Sequence, residues 1–360
     1  MQLLINGKEA FKEICHQIDH ATSSIEIQMF IWRDDVIGNK LLKHLLDAAN
    51  RGVKIKIKKD LYGAIFEKGE ETRQSLFHKK TPFSISFSSW IISNIAYYHK
   101  ESPRFVKQKE NNLVTKFISH PNVEVSTQLI KDHTKYYIFD QETLIIGGIN
   151  IEDKEYEKDL QNRHYQDYMV KLKNQEAITF FLKRLNGKKN FDSTNNIDYI
   201  MNTKLKKEAL TEILNLISTS KEKIHMAMAY FGNKQITKAL INAQKRGVDI
   251  RIITSAKSNI QPHLNLKVLK KLQENDITVY LHEGLIHAKA MLIDDKLIIG
   301  SINLNDNGLK KLSECSIYLK EPTMIKAFSK DLLRLQEESI KPLKKDLKYC
   351  ALMAFFEQNV

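Results

Sequence analysis

Two stretches of this sequence carry one constellation of side chains, and a chain built on a duplicated unit is expected to fold as two matching halves. The first, DHTKYYIFDQETLIIGGIN, holds His133, Lys135 and Asp140, then Gly147, Gly148 and Asn150. The second, IHAKAMLIDDKLIIGSIN, holds His287, Lys289 and Asp294, then Gly300, Ser301 and Asn303. His, Lys and Asp keep the same mutual spacing in both copies, and the His-to-Asn offset differs by one residue. One His-x-Lys has many chance matches; two in matching surroundings do not.

The flanks say how each copy is built. Apolar runs at 136–139 and 290–293, bounded by Asp and turn residues, read as buried strands. Residues two apart on a strand share a side, which puts His133 with Lys135 and His287 with Lys289. Further apolar runs at 144–146 and 297–299 suit the second strand of a hairpin. Asp140 and Asp294 are expected to fix that hairpin rather than to do chemistry. Gly148 in one copy and Ser301 in the other let backbone come close to a neighbour, and Asn150 and Asn303 each supply an amide.

The repeat extends beyond the motif. Helical spacing at 11–18, a strand at 25–31, a helix at 41–49 and a strand at 53–57 are matched by a helix at 210–217, a strand at 224–231, a helix at 236–243 and a strand at 248–253. Arg51-Gly52-Val53 recurs as Arg246-Gly247-Val248. Alternating strands and helices predict α/β layers. The expected organisation is a first half at 1–190, a second at 197–345 and a tail or helix at 346–360, with a pseudo-two-fold axis and a site between the halves. The Gly- and Asn-rich stretch 186–196 is the expected junction. The first half is longer by about forty residues between its Arg-Gly-Val and its His, which predicts an insertion at about 61–114. That insertion is rich in Phe, Trp and Tyr, and suits either a substrate-covering, membrane-touching segment or a packed helical one. The polar loop at 255–265, with Lys257 and His263, is expected to line the site from the end of a strand.

One His, one Lys and one Asn per half suit a phosphate ester. Lys and Asn hold non-bridging oxygens and stabilise transition-state charge. One His attacks phosphorus; a second protonates the leaving alkoxide and then activates the acceptor. Each half supplies one such His, so the halves must face each other. The lysines supply the charge that a cation otherwise would, and no metal or other cofactor is expected.

Both copies resemble the His-x-Lys-x4-Asp motif of the phospholipase D superfamily. The stretches YLHEGLIHAKAMLIDDKLIIGSINL and RGVDIRIITSAKS resemble the bacterial cardiolipin synthases, and the likeness runs from about Phe11 to about Leu319. The resemblance implies two phospholipase D-like α/β domains. It implies phospholipid phosphodiester cleavage or transphosphatidylation through a phosphohistidine, with His133 the favoured nucleophile. A metal-independent nuclease of the same superfamily is the alternative. The resemblance also implies an acid behind each His. By position, Asp167 is expected to pair with His133 and Glu314 with His287.

A net charge of +13 implies an anionic partner, either a phospholipid surface or, on the alternative reading, nucleic acid. Cys15, Cys315 and Cys350 lie far apart without metal spacing. Neither a signal peptide nor a spanning helix is expected, which suits a cytoplasmic protein, peripheral at most on the inner membrane face. The basic-then-apolar stretch 341–356 is read as a helix docked on the core, with an interfacial helix as the other reading.

Overall fold

The computed structural model of the chain describes residues 1–69, 75–78, 80–91, 110–157, 164–187 and 196–359. In chain order the first half folds as β1 (Gln2–Ile5), α1 (Asn6–His20), β2 (Ser24–Met29), α2 (Val36–Asn50), β3 (Lys54–Lys59), α3 (Gly63–Gly69), α4 (Phe83–Ile91), α5 (Asn112–Ile118), β4 (Val123–Ser126), β5 (Tyr136–Phe139), β6 (Thr143–Gly147), α6 (Asp153–Tyr156), β7 (Tyr165–Gln166), β8 (Tyr168–Lys173) and α7 (Gln175–Leu185). The second half follows as β9 (Ile197–Asn202), α8 (Ala209–Thr219), β10 (Lys223–Met228), α9 (Lys234–Lys245), β11 (Asp249–Ser255), α10 (Pro262–Gln273), β12 (Thr278–His282), β13 (Leu285–Ile286), β14 (Lys289–Ile293), β15 (Lys296–Gly300), β16 (Glu314–Leu319), α11 (Pro322–Glu337), β17 (Ser339–Ile340) and α12 (Ala351–Asn359).

The duplication read from the sequence is a duplication of topology. The first sheet runs β4-β3-β2-β5-β6-β8-β1 and the second runs β12-β11-β10-β14-β15-β16-β9, strand for strand, with β17 added at the β12 edge. In both, the central strand (β2 or β10) is parallel to one neighbour and antiparallel to the other, which begins each motif hairpin. The two Arg-Gly-Val stretches end equivalent helices: Gly52 and Gly247 take φ values of +98° and +92°, the left-handed C-terminal cap that glycine favours. The arginine beside each reaches back to a carbonyl, Arg51 to Ile18 and Arg246 to Ile217.

Alternation along β5 shows how the layers stack. Tyr137 and Phe139 pack into the first half's own helices with Phe11, Leu41 and Leu45. Tyr136 and Ile138 face the other way, into a central core shared with Leu292, Leu297 and Ile317 of the second half. Each sheet therefore carries helices on its outer face (α1 and α2, or α8, α9 and α10) and turns its inner face to the shared core, into which α7 and α11 also pack, so its strands are covered on both faces and read as unbroken apolar runs. The expected α/β halves with a pseudo-two-fold relation are what forms. The junction expected at 186–196 lies mostly outside the described residues. So does much of the insertion, of which α3 and α4 are described. Phe83, Phe87 and Trp90 of α4 stack in sequence on an exposed face.

Candidate active site

The motif strands deliver their side chains to the seam between the sheets. The residue before each His pairs, or lies beside a pair, across the halves. Asp132 bridges Ser313, the His133 N–H donates to the Ser313 carbonyl at 2.8 Å, and the Ser313 N–H returns to Lys131 at 2.9 Å. In the other copy, β13 pairs with β7 and the His287 N–H donates to the Gln166 carbonyl at 2.9 Å. Ser313 precedes Glu314, and Gln166 precedes Asp167. Backbone pairing thus seats each histidine beside the acid of the opposite half.

This corrects the pairing expected from the sequence. His133 Nδ1 stands 3.0 and 3.1 Å from the two carboxyl oxygens of Glu314. His287 Nδ1 stands 3.0 Å from Asp167. The partners are crossed because an acid that follows its own motif in sequence lies on the strand that meets the other half's motif. Each ring has its Nδ1 against a carboxyl, which leaves Nε2 for a substrate.

His287 has a further neighbour that the sequence reading missed. Glu155 of α6 places Oε1 at 2.8 Å from its Nδ1. Glu155 is fully buried, and burial, reinforced by the charge of Glu152, pushes its carboxyl up to about 8. Burial likewise pushes Glu314 up to about 8 and holds His133 well below its ordinary range. His287 is held down to about 4, by burial and then by the charge of Lys289. In a dry seam the neutral form of each group is favoured, so each His–acid cluster carries its proton as a unit.

The lysines sit one layer beneath. Lys135 donates to the His133 carbonyl at 2.6 Å, and Lys289 donates to the His287 carbonyl. Lys289 also stands 3.7 Å from Asp167. Burial lowers both, Lys135 to about 7. An arriving phosphate would favour their charged forms, and an ammonium that gives one N–H to a carbonyl keeps two more to donate.

One pocket is lined by His133, His287, Asn150 and Asn303 together. Among the described residues, Oδ1 of each Asn is buried without a partner. The rest of the lining is largely apolar or amide: Phe30, Tyr62, Phe66, Tyr165, Asn259 and Gln261 among others. Phe30 meets the His133 ring edge-on at 4.5 Å, and Tyr165 stacks on His287 at 5.0 Å. The loop after β11 contributes Asn259 to Gln261, as expected. Lys257 is exposed and His263 is not in the lining; His263 Nδ1 instead accepts the Cys350 N–H at 3.1 Å.

The remaining motif residues hold the frame. Gly148 is required by contact: a Cβ there would stand 2.4 and 2.5 Å from the Asp167 carboxyl oxygens. Ser301 takes the equivalent place, accepting the Cys315 N–H at 3.1 Å and donating to the Cys315 carbonyl at 3.2 Å. Asp140, like Asp294, sits in the turn of its own hairpin with a left-handed backbone, at φ +50° and +53°. Its carboxylate accepts the N–H groups of Thr22, Ser23 and Ser24, and Asp294 does the same for Lys221, Glu222 and Lys223. Both lock the turn before the central strand. Asp60, also unforeseen, accepts the N–H groups of Tyr62, Ile130 and Asp132 and so fixes the segment leading to His133.

Glu155, Asp167 and His287 present atoms within 4.8 Å of one another, near enough to share a cation. Lys289 already brings positive charge to that cluster.

Comparison with known proteins agrees with this architecture. A family model described as "Cardiolipin synthase, PLD-like domain" matches residues 14–187 and 213–336. The cardiolipin synthase of Listeria welshimeri is 21% identical over 364 residues, covering 93% of this chain and 69% of that protein. Cardiolipin synthase 1 of Bacillus anthracis is 23% identical over 343 residues, covering 84% and 60%. The crystal structure of phosphatidylserine synthase from Haemophilus influenzae superposes with a TM-score of 0.71 at 12% identity, over 99% of this chain and 92% of that one. Polyphosphate kinase from Porphyromonas gingivalis gives 0.56 at 13% identity, over 92% of this chain and 49% of that one. With the family model spanning most of both halves, this chain belongs to the cardiolipin synthase, phospholipase D-like domain family.

Proposed function

We propose that this chain transfers phosphatidyl groups between alcohols, making or remodelling anionic phospholipids as the cardiolipin synthases it resembles are named for doing. The observation that carries the reading is the crossed arrangement: two histidines, each backed by a carboxyl from the other half, face one pocket with two asparagines. In the first step Nε2 of one histidine, His133 in this proposal, attacks phosphorus. The P–O bond to the leaving alcohol breaks as His287 delivers a proton to that oxygen. In the second step the acceptor alcohol gives its proton to His287, its oxygen attacks phosphorus, and the P–N bond breaks. Lys135, Lys289, Asn150 and Asn303 would stabilise the phosphoryl oxygens through both steps. Water as acceptor gives phospholipase D hydrolysis from the same intermediate. The apolar pocket wall suits an acyl-glycerol substrate better than a bare polyanion.

The test is incubation of the purified protein with phosphatidylglycerol vesicles in EDTA, beside DNA, with His133→Ala and His287→Ala as controls. Cardiolipin or phosphatidic acid, lost in both variants, is the expected result. Cleavage of DNA alone, lost in the same variants, would keep the chemistry and overturn the substrate.

A further inference from the structure

The C-terminal helix is tied to the pocket on one face and left apolar on the other. α12 packs along α10 with Ala354 fully buried. The Glu357 carboxylate accepts the Leu264 N–H in the first turn of α10 at 2.7 Å, and its carbonyl accepts from Gln261 Nε2 at 2.7 Å. Met353, Phe356 and Glu357 line the pocket that holds both histidines. A docked helix is present, though it spans Ala351–Asn359 and not the 341–356 expected from the sequence, since 341–350 is non-helical, and docking uses only part of its apolar surface. Leu352, Phe355 and Phe356, which share a face at i, i+3 and i+4, remain 63%, 60% and 55% exposed. The approach to the helix adds exposed Lys341, Lys344, Lys345 and Lys348, together with exposed Leu343.

We infer that α12 and the segment before it form the surface on which this protein seats itself on an anionic lipid bilayer. Large apolar side chains beside clustered lysines are what an interfacial helix presents: the apolar groups enter the acyl boundary and the ammonium groups stay with the phosphates. Charge fits the occupant, and so does continuity, because Phe356 belongs both to the exposed face and to the pocket lining. A phospholipid rising from the bilayer at that edge would reach the histidines without its acyl chains crossing open water. The inference rests on the phospholipid reading of the site.

The test compares the wild-type chain with Leu352→Ser/Phe355→Ser. Neither residue lines the pocket, and both side chains are exposed, so the unfolding temperature is expected to hold; Leu352→Ile/Phe355→Leu serves as the rescue. Sedimentation with phosphatidylglycerol vesicles at low salt is read beside turnover of vesicle substrate and of dihexanoyl-phosphatidylglycerol below its aggregation concentration. The Ser variant should bind vesicles about a hundredfold more weakly, from roughly tenfold per apolar side chain withdrawn. Its turnover of vesicle substrate should fall with binding, turnover of the monomeric substrate should stay at the wild-type rate, and the rescue variant should bind as wild type. Equal vesicle binding by wild type and Ser variant, or none by wild type, overturns the inference. Binding lost in the Ser variant, with no turnover of either lipid by wild type, keeps the docking surface and overturns the activity instead.

Discussion

Replacing Glu155 by Gln should stabilise the fold and harm the chemistry, and pH separates the two effects. The ordinary pKa of 4.5 rises to about 8 in the folded chain, through burial first and the charge of Glu152 second. Between those values the folded chain holds a proton that the unfolded chain has released. Stability from this group is therefore fully present below 4.5, declines as pH rises and is lost above about 8. A gap from 4.5 to about 8, at about 1.4 kcal/mol per tenfold, amounts to about 5 kcal/mol withheld from the native state on the alkaline side. Gln cannot ionise and escapes that penalty, while its amide oxygen can still take the place of Oε1 beside His287. At a few degrees per kcal/mol for a half of this size, Glu155→Gln should unfold about 10 °C above wild type at pH 8.5 and within a degree or two of it at pH 4.5. Turnover should fall by ten- to a hundredfold at both, since the amide cannot exchange a proton with the His287 cluster. The assay is thermal unfolding followed by circular dichroism at the two pH values, beside initial rates on vesicles. A melting difference equal at both pH values, or a variant less stable at pH 8.5, would refute the argument: Glu155 would then be an ionised partner of His287 rather than a neutral one.

The crossed pairing predicts couplings. In double-mutant cycles on thermal stability, His133→Ala with Glu314→Ala should be non-additive by about 1 kcal/mol or more, whereas His133→Ala with Asp167→Ala should add; the opposite pattern would restore the uncrossed arrangement. Gly148→Ala drives a methyl against the Asp167 carboxylate and should lower kcat about a hundredfold with little change in melting temperature, as read by steady-state rates and unfolding scans. Asp140→Ala should lower stability by about 1–3 kcal/mol, measured by denaturant titration at pH 7, from the loss of several charge-assisted bonds. The Asp140 carboxyl is held down to about 2 by those donors, so its contribution is present above pH 3.8 and lost as pH falls through about 2; the difference between variant and wild type should vanish there.

The legible part of this molecule was the part that is repeated. His133, His287, Asn150 and Asn303, which line one pocket, and the lysines beneath them were singled out because two copies of one spacing are hard to produce by chance. The same comparison gave the helix-strand-helix-strand succession and the motif hairpin of each half, though not the order of strands within the sheets. The pairing of acid with histidine was not legible, because it depends on which half's strand end meets which motif. Sequence order says that Asp167 follows His133; it does not say that Asp132 will pair with Ser313 and so bring His133 to Glu314. Asp140 and Asp294 were read as hairpin residues and do sit in those turns; what was not legible is that their carboxylates also reach about 117 residues and about 72 residues back along the chain to hold a second turn.

Glu155 was missed for a different reason, and its place in the repeat argues what the duplication is for. It stands five residues after Asn150, where the second copy has Gly308, five after Asn303. A Cβ on Gly308 would lie 2.7 Å from the Asn303 carbonyl, so the second copy has no room for a side chain there, while the first fills the place with a buried carboxyl. Reading for agreement between the copies discards that position; reading for a break in the agreement would have found it. The break matters because the proposed reaction is not symmetric. Two identical histidines would compete to attack phosphorus, whereas the reaction needs one to attack and one to hold and return a proton. Duplication supplies two equivalent rings, and divergence at this one position gives His287 two carboxyls against the single carboxyl of His133. On that reasoning the label trapped in a quenched single turnover should sit on His133, and trapping on His287 would reverse the assignment.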